Sequence, residues 1–279
     1  MEERVVSNAP DLKDRSAVVT GASSGIGRAI AESLGASGAH VVLCGRTESA
    51  MKESVDRIAA AGGTAEAAVI DVCKPGAIQG LVDAAVAAAG HLDIFVNNAG
   101  VGSFGTILGT DVAQWRTLLE TNVLALLVGC QAAVNSMRST STRGHIVNIS
   151  SLAAKSPDSG IYGASKHAVN VVTNSLRLEL IDDPIQLTTV MPGVVATNFA
   201  RYLDPAVLEG FAAMVGDGGS IRPGERLPDD VLERAQVALG DFMIRPEDIA
   251  AAVLFAVTQP PGVDVSEIVV RPNKDIALT

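Results

Sequence analysis

Short runs of apolar, often β-branched residues alternate along the chain with longer stretches in which alanine and leucine recur every three or four positions. The runs at 17–20, 40–43, 67–70, 94–96, 145–149, 186–191 and 267–270 predict seven strands. Between them, 25–36, 48–61, 77–89, 112–137, 161–180 and 246–257 predict helices. Strand, helix, strand repeated with right-handed crossovers gives a parallel sheet covered by helices on both faces, and two such halves make a doubly wound α/β fold. The alternation breaks at 197–242, where 205–215, a glycine-rich turn at 216–219 and 228–239 read as helix, turn, helix with no strand partner. An insertion of this kind is expected to act as a helical lid over a substrate. No linker rich in proline, serine or charge divides the chain, so 1–279 is expected to form a single domain.

Composition narrows the functional classes. Thirty-one acidic against 21 basic residues give a net charge of −10, which offers no electrostatic footprint for nucleic acid or anionic lipid. Cys44, Cys73 and Cys130 are too far apart for a disulfide framework or a metal knuckle, and a reducing, cytoplasmic setting is expected. The polar N-terminus lacks the basic start and apolar centre of a signal peptide. The apolar stretches near 123–128 and 249–257 fall short of the roughly 18 residues of a membrane span, so no membrane partner is expected. No cluster of His, Cys, Asp and Glu has metal-ligand spacing. The remaining compositional fact is many glycines, 27, with few aromatics.

Several of those glycines fall in one turn. The first strand runs into Thr20-Gly21-Ala22-Ser23-Ser24-Gly25-Ile26-Gly27, which opens an amphipathic helix. Glycines there permit a tight turn and close approach of the main chain to a pyrophosphate, and the helix N-terminus offers N–H groups and a positive dipole end. The position after a strand, at the start of a βαβ unit, is the setting that gives such a turn meaning. The second strand ends in Gly45-Arg46, where an acidic residue would bind the adenosine ribose hydroxyls. A guanidinium there pairs with a 2′-phosphate, so NADP(H) is expected in preference to NAD(H).

The glycine turn, Asp71-Val72, Asn97-Asn98-Ala99-Gly100, Asn122, Ser150-Ser151, Tyr162-Gly163-Ala164-Ser165-Lys166 and Pro192-Gly193 together resemble the short-chain dehydrogenase/reductase family, in its shorter, single-domain branch. The resemblance runs in order from about Ser16 to Val257. It implies a Rossmann-type fold and an enzyme that transfers hydride between a nicotinamide and a carbonyl or alcohol group. It implies Tyr162 as general acid and base, Lys166 beside it on the nicotinamide ribose, a serine on the substrate carbonyl and Asn122 as the residue that bends its helix and relays protons. Tyr162 and Lys166, at i and i+4, share one helix face, and a cation beside a phenol favours its ionised form. Ser151 stands eleven positions before Tyr162, a shorter loop than usual in the family. Ser151 is taken as the catalytic serine, with Ser150 in reserve.

Further contacts carried over by the resemblance are Ile26 at the pyrophosphate, Asp71 and Val72 at the adenine, and Asn98, Ala99 and Gly100 under the adenosine ribose. Pro192, Gly193, Val195 and Thr197 fall near the nicotinamide. Walls of the substrate site are expected from Ser103, Phe104, Leu152, Ala153, Val194 and Phe199. Relatives commonly pair through their long helices, which implies a homodimer or homotetramer. His167 projects from another helical face and is assigned no catalytic part. A non-catalytic cofactor-binding sensor or scaffold is the alternative, and a sugar-nucleotide epimerase of the longer branch would need a differently spaced turn and a bigger C-terminal domain.

Overall fold

The computed structural model describes residues 11–103, 105–202, 205–216, 222 and 224–274. Phe104, positions 217–219 of the glycine-rich turn and the N-terminal residues read for a signal lie outside them. Within that range the strands are β1 (Ser16–Thr20), β2 (His40–Gly45), β3 (Thr64–Val69), β4 (Ile94–Asn97), β5 (His145–Ile149), β6 (Gln186–Pro192) and β7 (Glu267–Val270). The helices are α1 (Gly25–Ala36), α2 (Glu48–Ala60), α3 (Ala77–Ala89), α4 (Val112–Leu119), α5 (Ala125–Ser139), α6 (Gly160–Glu179), α7 (Pro205–Met214), α8 (Asp229–Ala238) and α9 (Pro246–Val257).

All seven strands are parallel, in the order β3-β2-β1-β4-β5-β6-β7. The chain winds outward from β1 to β3, then returns to β4 on the other side of β1. A crevice therefore opens beyond the carboxyl ends of β1 and β4, where such folds bind ligands. The two-residue period of a strand divides its side chains between two cores. Ala17, Val19, Val41 and Leu43 join the cluster under α1, α2 and α9. Val18, Val42, Cys44, Phe95 and Ile146 join the one under α3, α5 and α6.

The long helix departs most from the sequence expectation. The long helix expected at 112–137 is interrupted by a π-helical turn, Glu120–Leu124, between α4 and α5. As one run, Val112–Ser139 spans 28 residues and includes an 18-residue window apolar enough to cross a bilayer, longer than the sequence runs suggested. Half of that window is buried, with α5 packed on α3, β4 and β5, the position of a core helix. The insertion after β6 has a small core of its own, including Leu208, Phe211, Leu227, Val231 and Met243. A parallel bridge between Val195 and Ile244 returns it to the sheet end.

The buried polar groups on β5 and β6 carry a pH consequence. His145 is 5% exposed, and its Nε2 lies 2.8 Å from Thr188 Oγ1. That hydroxyl donates to Val265 O at 2.6 Å, so Nε2 carries the proton that Thr188 accepts. Burial pushes the His145 pKa down to about 4. A base whose folded pKa lies below its unfolded value contributes full stability above pH 6.5 or so, and that stability is lost as pH falls towards 4. The expected slope is about 1.4 kcal/mol per pH unit in this window. Urea midpoints measured from neutral pH to pH 4.5 should fall less in His145→Gln than in the parent; parallel curves would remove His145 as the cause.

Candidate active site

The glycine turn forms its cradle by close backbone approach. Gly21 has φ +68°, and a Cβ on it would stand 2.8 Å from Ala99 Cα. A Cβ on Gly27 would collide with Gly21 O and Asn98 Nδ2. Asn98 locks this arrangement, its amide donating to Thr20 O at 2.9 Å and Gly21 O at 3.2 Å while its N–H reaches Thr20 Oγ1 at 3.0 Å. Asn98, expected beneath the adenosine ribose, thus spends its amide holding β1 to β4. Ser24 caps α1 without a side-chain hydrogen bond, and the first turn of α1 has no acidic residue. Its N–H groups and dipole are left for an anion. The turn therefore fits a dinucleotide pyrophosphate on its own geometry.

Around the cradle, most of the expected contacts converge. Ser23 packs on Gly45, where an added Cβ would stand 3.3 Å from Ser23 Cβ, and Arg46 next to it is exposed. Asp71 accepts from Cys73 N–H at 3.0 Å, which shapes the turn leaving β3. Val72 and Ala99 line a small recess with Thr121. Thr197 lies over Gly25, its Cγ2 3.1 Å from where a Cβ would be. Gly193 follows Pro192, which ends β6, and its N–H donates to Val270 O at 2.8 Å. Ile26 and Val195 both pack partly on the first core.

The catalytic types meet at the ends of β4, β5 and α6. The Tyr162 hydroxyl is hydrogen-bonded to Ser151, which also accepts from Ala153 N–H at 3.1 Å. Ser150, just past the end of β5, instead donates to Lys166 O at 3.1 Å, so of the two serines it is Ser151 that meets Tyr162. The short loop before Tyr162 closes because position 163 is glycine. A Cβ there would press on Ser159 Cβ at 2.5 Å and Ala153 O at 2.7 Å. Asn122 sits inside the π turn, 1% exposed, bonded to Val101 N and O at 2.9 and 3.0 Å and to Ser165 Oγ at 3.1 Å. The wider π turn sets this amide beside the β4 loop, under Gly100.

Electrostatics correct one sequence expectation. Proximity of Lys166 was expected to favour the ionised form of the Tyr162 phenol and so lower its pKa. Instead burial pushes Tyr162 up to about 12, against the pull of the Ser151 hydrogen bond. Burial likewise pushes Lys166 down to about 8, and its Nζ donates to Ile149 O at 2.9 Å. For the phenol, desolvation outweighs the hydrogen bond from Ser151, and it holds its proton at neutral pH.

The insertion reaches back over this group. Phe199 packs against Tyr162 with ring centroids 5.3 Å apart and the rings tilted by 50°, and Tyr202 meets Phe199 edge-on at 5.5 Å. Gly102 makes room, since a Cβ there would stand 2.9 Å from Phe199 Cζ. Gly102 escaped the sequence reading, and Gly163 was read only as part of the Tyr162–Lys166 motif, because nothing local marks a glycine as an inter-element contact. Ala153, Val194 and Ser103 follow the carboxyl ends of β5, β6 and β4 along the chain.

A doubly wound sheet with a glycine cradle at its switch point defines a dinucleotide-binding protein. The family model for short chain dehydrogenases matches residues 15–207, and the chain belongs to that family of oxidoreductases. An uncharacterised oxidoreductase of Staphylococcus epidermidis is 33% identical over 263 residues, covering 94% of this chain and 98% of that protein. One of Staphylococcus saprophyticus is 34% identical over 265 residues, 94% and 99% of the two chains. Among solved structures, a metagenomic short-chain oxidoreductase in complex with NADP is 34% identical, with TM-score 0.72 over 94% of this chain and 98% of that one. A variant of actinorhodin polyketide ketoreductase with NADPH is 30% identical, with TM-score 0.75 over 92% and 95%.

Proposed function

We propose that the protein is an NADP(H)-dependent oxidoreductase that interconverts a secondary alcohol and a ketone on a small or medium, largely apolar substrate. The observation that carries this reading is the buried Tyr162 hydroxyl bonded to Ser151, with Lys166 one helical turn away, beside a cradle that fits a dinucleotide. The bound nicotinamide supplies or accepts the hydride. Tyr162, protonated at neutral pH, gives its proton to the substrate oxygen in reduction and takes it back in oxidation. Ser151 hydrogen-bonds the same oxygen and orients it. Lys166 holds the nicotinamide ribose, while Asn122 anchors the Val101 loop and supports the Lys166 side of the site. Phe199 and Ala153 form apolar walls.

The Gly45-Arg46 corner supports NADP(H) over NAD(H), and two solved relatives were crystallised with NADP and NADPH. The 197–242 insertion is read as the substrate lid of a single domain, 1–279, with Phe199 as its contact to Tyr162. Exposed Leu124, Leu127 and Val128 on the long helix, with Val171 and Leu178 on α6, support a homodimer or homotetramer. Free Cys44, Cys73 and Cys130 are compatible with a reducing, cytoplasmic compartment.

A panel of ketones offered with NADPH and with NADH, followed by the loss of reduced-nicotinamide absorbance, tests the activity. Ketone-dependent oxidation that is faster with NADPH is expected, from a species whose light-scattering mass is a multiple of 28.6 kDa. A cofactor that binds but is consumed with no ketone, and formed with no alcohol, would make the chain a non-catalytic binder. A mass equal to that of one chain would remove the oligomer.

A further inference from the structure

We propose that Arg28 is a positioning residue for the 2′-phosphate of the dinucleotide, acting through the Ser23–Ser24 peptide; this rests on the reading that the Gly45-Arg46 corner receives that phosphate. Arg28 lies in the first turns of α1, yet its side chain is only 10% exposed. Its Nη2 donates to Ser23 O at 3.1 Å and stands 3.6 Å from Glu53 Oε2 of α2. Its Nε is buried without a hydrogen-bond partner. A guanidinium with one full bond and a distant carboxylate is costly to bury, and its stem offers little that an aliphatic residue would not. Glu53 also pairs with Arg57, so it does not belong to Arg28 alone.

What Arg28 does hold is one particular peptide plane. In a trans peptide the carbonyl and the following N–H point in opposite directions. With Ser23 O drawn to Arg28, the Ser24 N–H is turned to the other side of the loop. The Ser23 side chain packs on Gly45, so this loop and the end of β2 form one corner. The bond therefore fixes how the Ser23–Ser24 segment faces a group seated at Arg46. The half-neutralised guanidinium adds positive potential from behind the loop, where solvent screens it little. A 2′-phosphate profits from both effects, and a ribose with a free 2′-hydroxyl gains neither the charge nor much of the geometry.

Calorimetric titration with adenosine 2′,5′-bisphosphate and with 5′-AMP isolates the contribution, since the two differ by the 2′-phosphate alone and neither carries a nicotinamide. Arg28→Met is expected to weaken the bisphosphate about tenfold while 5′-AMP changes less than about threefold. Arg28→Lys, which keeps the charge and loses the planar fork, should fall between parent and Met. Melting curves run alongside establish that each variant folds, and the Lys variant keeps the test open if Met does not. Equal weakening of both ligands, or of neither, would overturn the proposal and leave Arg28 as a strut of the turn. Arg46→Ala separates the two readings. If it abolishes the preference for the bisphosphate while Arg28→Met leaves it intact, the 2′-phosphate corner stands and Arg28 has no part in it. If the parent binds both ligands alike, the corner itself fails, and the proposal with it.

Discussion

Tyr162→Phe is expected to lower kcat for ketone reduction by about a hundred- to ten-thousandfold while leaving NADPH affinity within about twofold of the parent. The removed atom is the one hydroxyl that meets Ser151 in the buried centre. Phenylalanine keeps the ring against which Phe199 packs at 5.3 Å, so the insertion retains its contact and the wall of the site is preserved. The loss is therefore assigned to proton transfer and not to collapse of the cleft. The pH profile of the parent carries a second readout. With the phenol pushed up to about 12 by burial, Tyr162 is in its acid form across neutral pH and ready to donate. Reduction is then expected to be nearly flat around neutrality, whereas alcohol oxidation, which requires the phenol to accept a proton, should climb as pH rises. A Phe variant with parent-like kcat, or an oxidation rate that falls with rising pH, would remove Tyr162 as the acid and base.

Gly27→Ala is expected to abolish measurable NADPH binding and to destabilise the fold by about 1–3 kcal/mol, the usual cost of overpacking. The added methyl group would meet the carbonyl of Gly21 and the amide of Asn98. Neither neighbour is free to give way. The carbonyl is backbone in a turn with φ +68°, and the amide is bonded to Thr20 O and Gly21 O. Relief must come from shifting the whole turn off the N-terminus of α1, which spoils the same N–H groups that would receive the pyrophosphate. Fluorescence titration with NADPH and thermal melts check the two effects separately. Binding close to that of the parent would show that the cradle tolerates a Cβ and that its glycines serve only the bend.

How much of this was legible before the structure differs from element to element. Buried strands such as β1 and β2 were read within a residue or two because apolar side chains occupy both faces. The edge strand β3 was expected at 67–70 and runs Thr64–Val69, since its mostly exposed residues leave no apolar run to mark its start. The long helix was read as continuous because 120–124 holds neither proline nor glycine to mark the π turn. The placement of Tyr162 and Lys166 on one face needed only the pitch of a helix. The difference between Ser150 and Ser151 was visible only in the structure, where Ser150 donates to Lys166 O and Ser151 meets Tyr162.

By itself, then, the chain determined the parallel αβ alternation, the glycine turn and the shared helix face of Tyr162 and Lys166. These depend on periodicities and spacings no longer than a few turns. Tertiary structure alone decided that Phe199 from the insertion covers Tyr162, that Gly102 and Gly163 make room for it and for the short loop, and that Arg28 faces Ser23. It also decided that burial pushes Tyr162 up and Lys166 down. The physical reason is common to all of these: burial and close contact are set by segments distant in sequence, and desolvation depends on every atom that displaces water around a group.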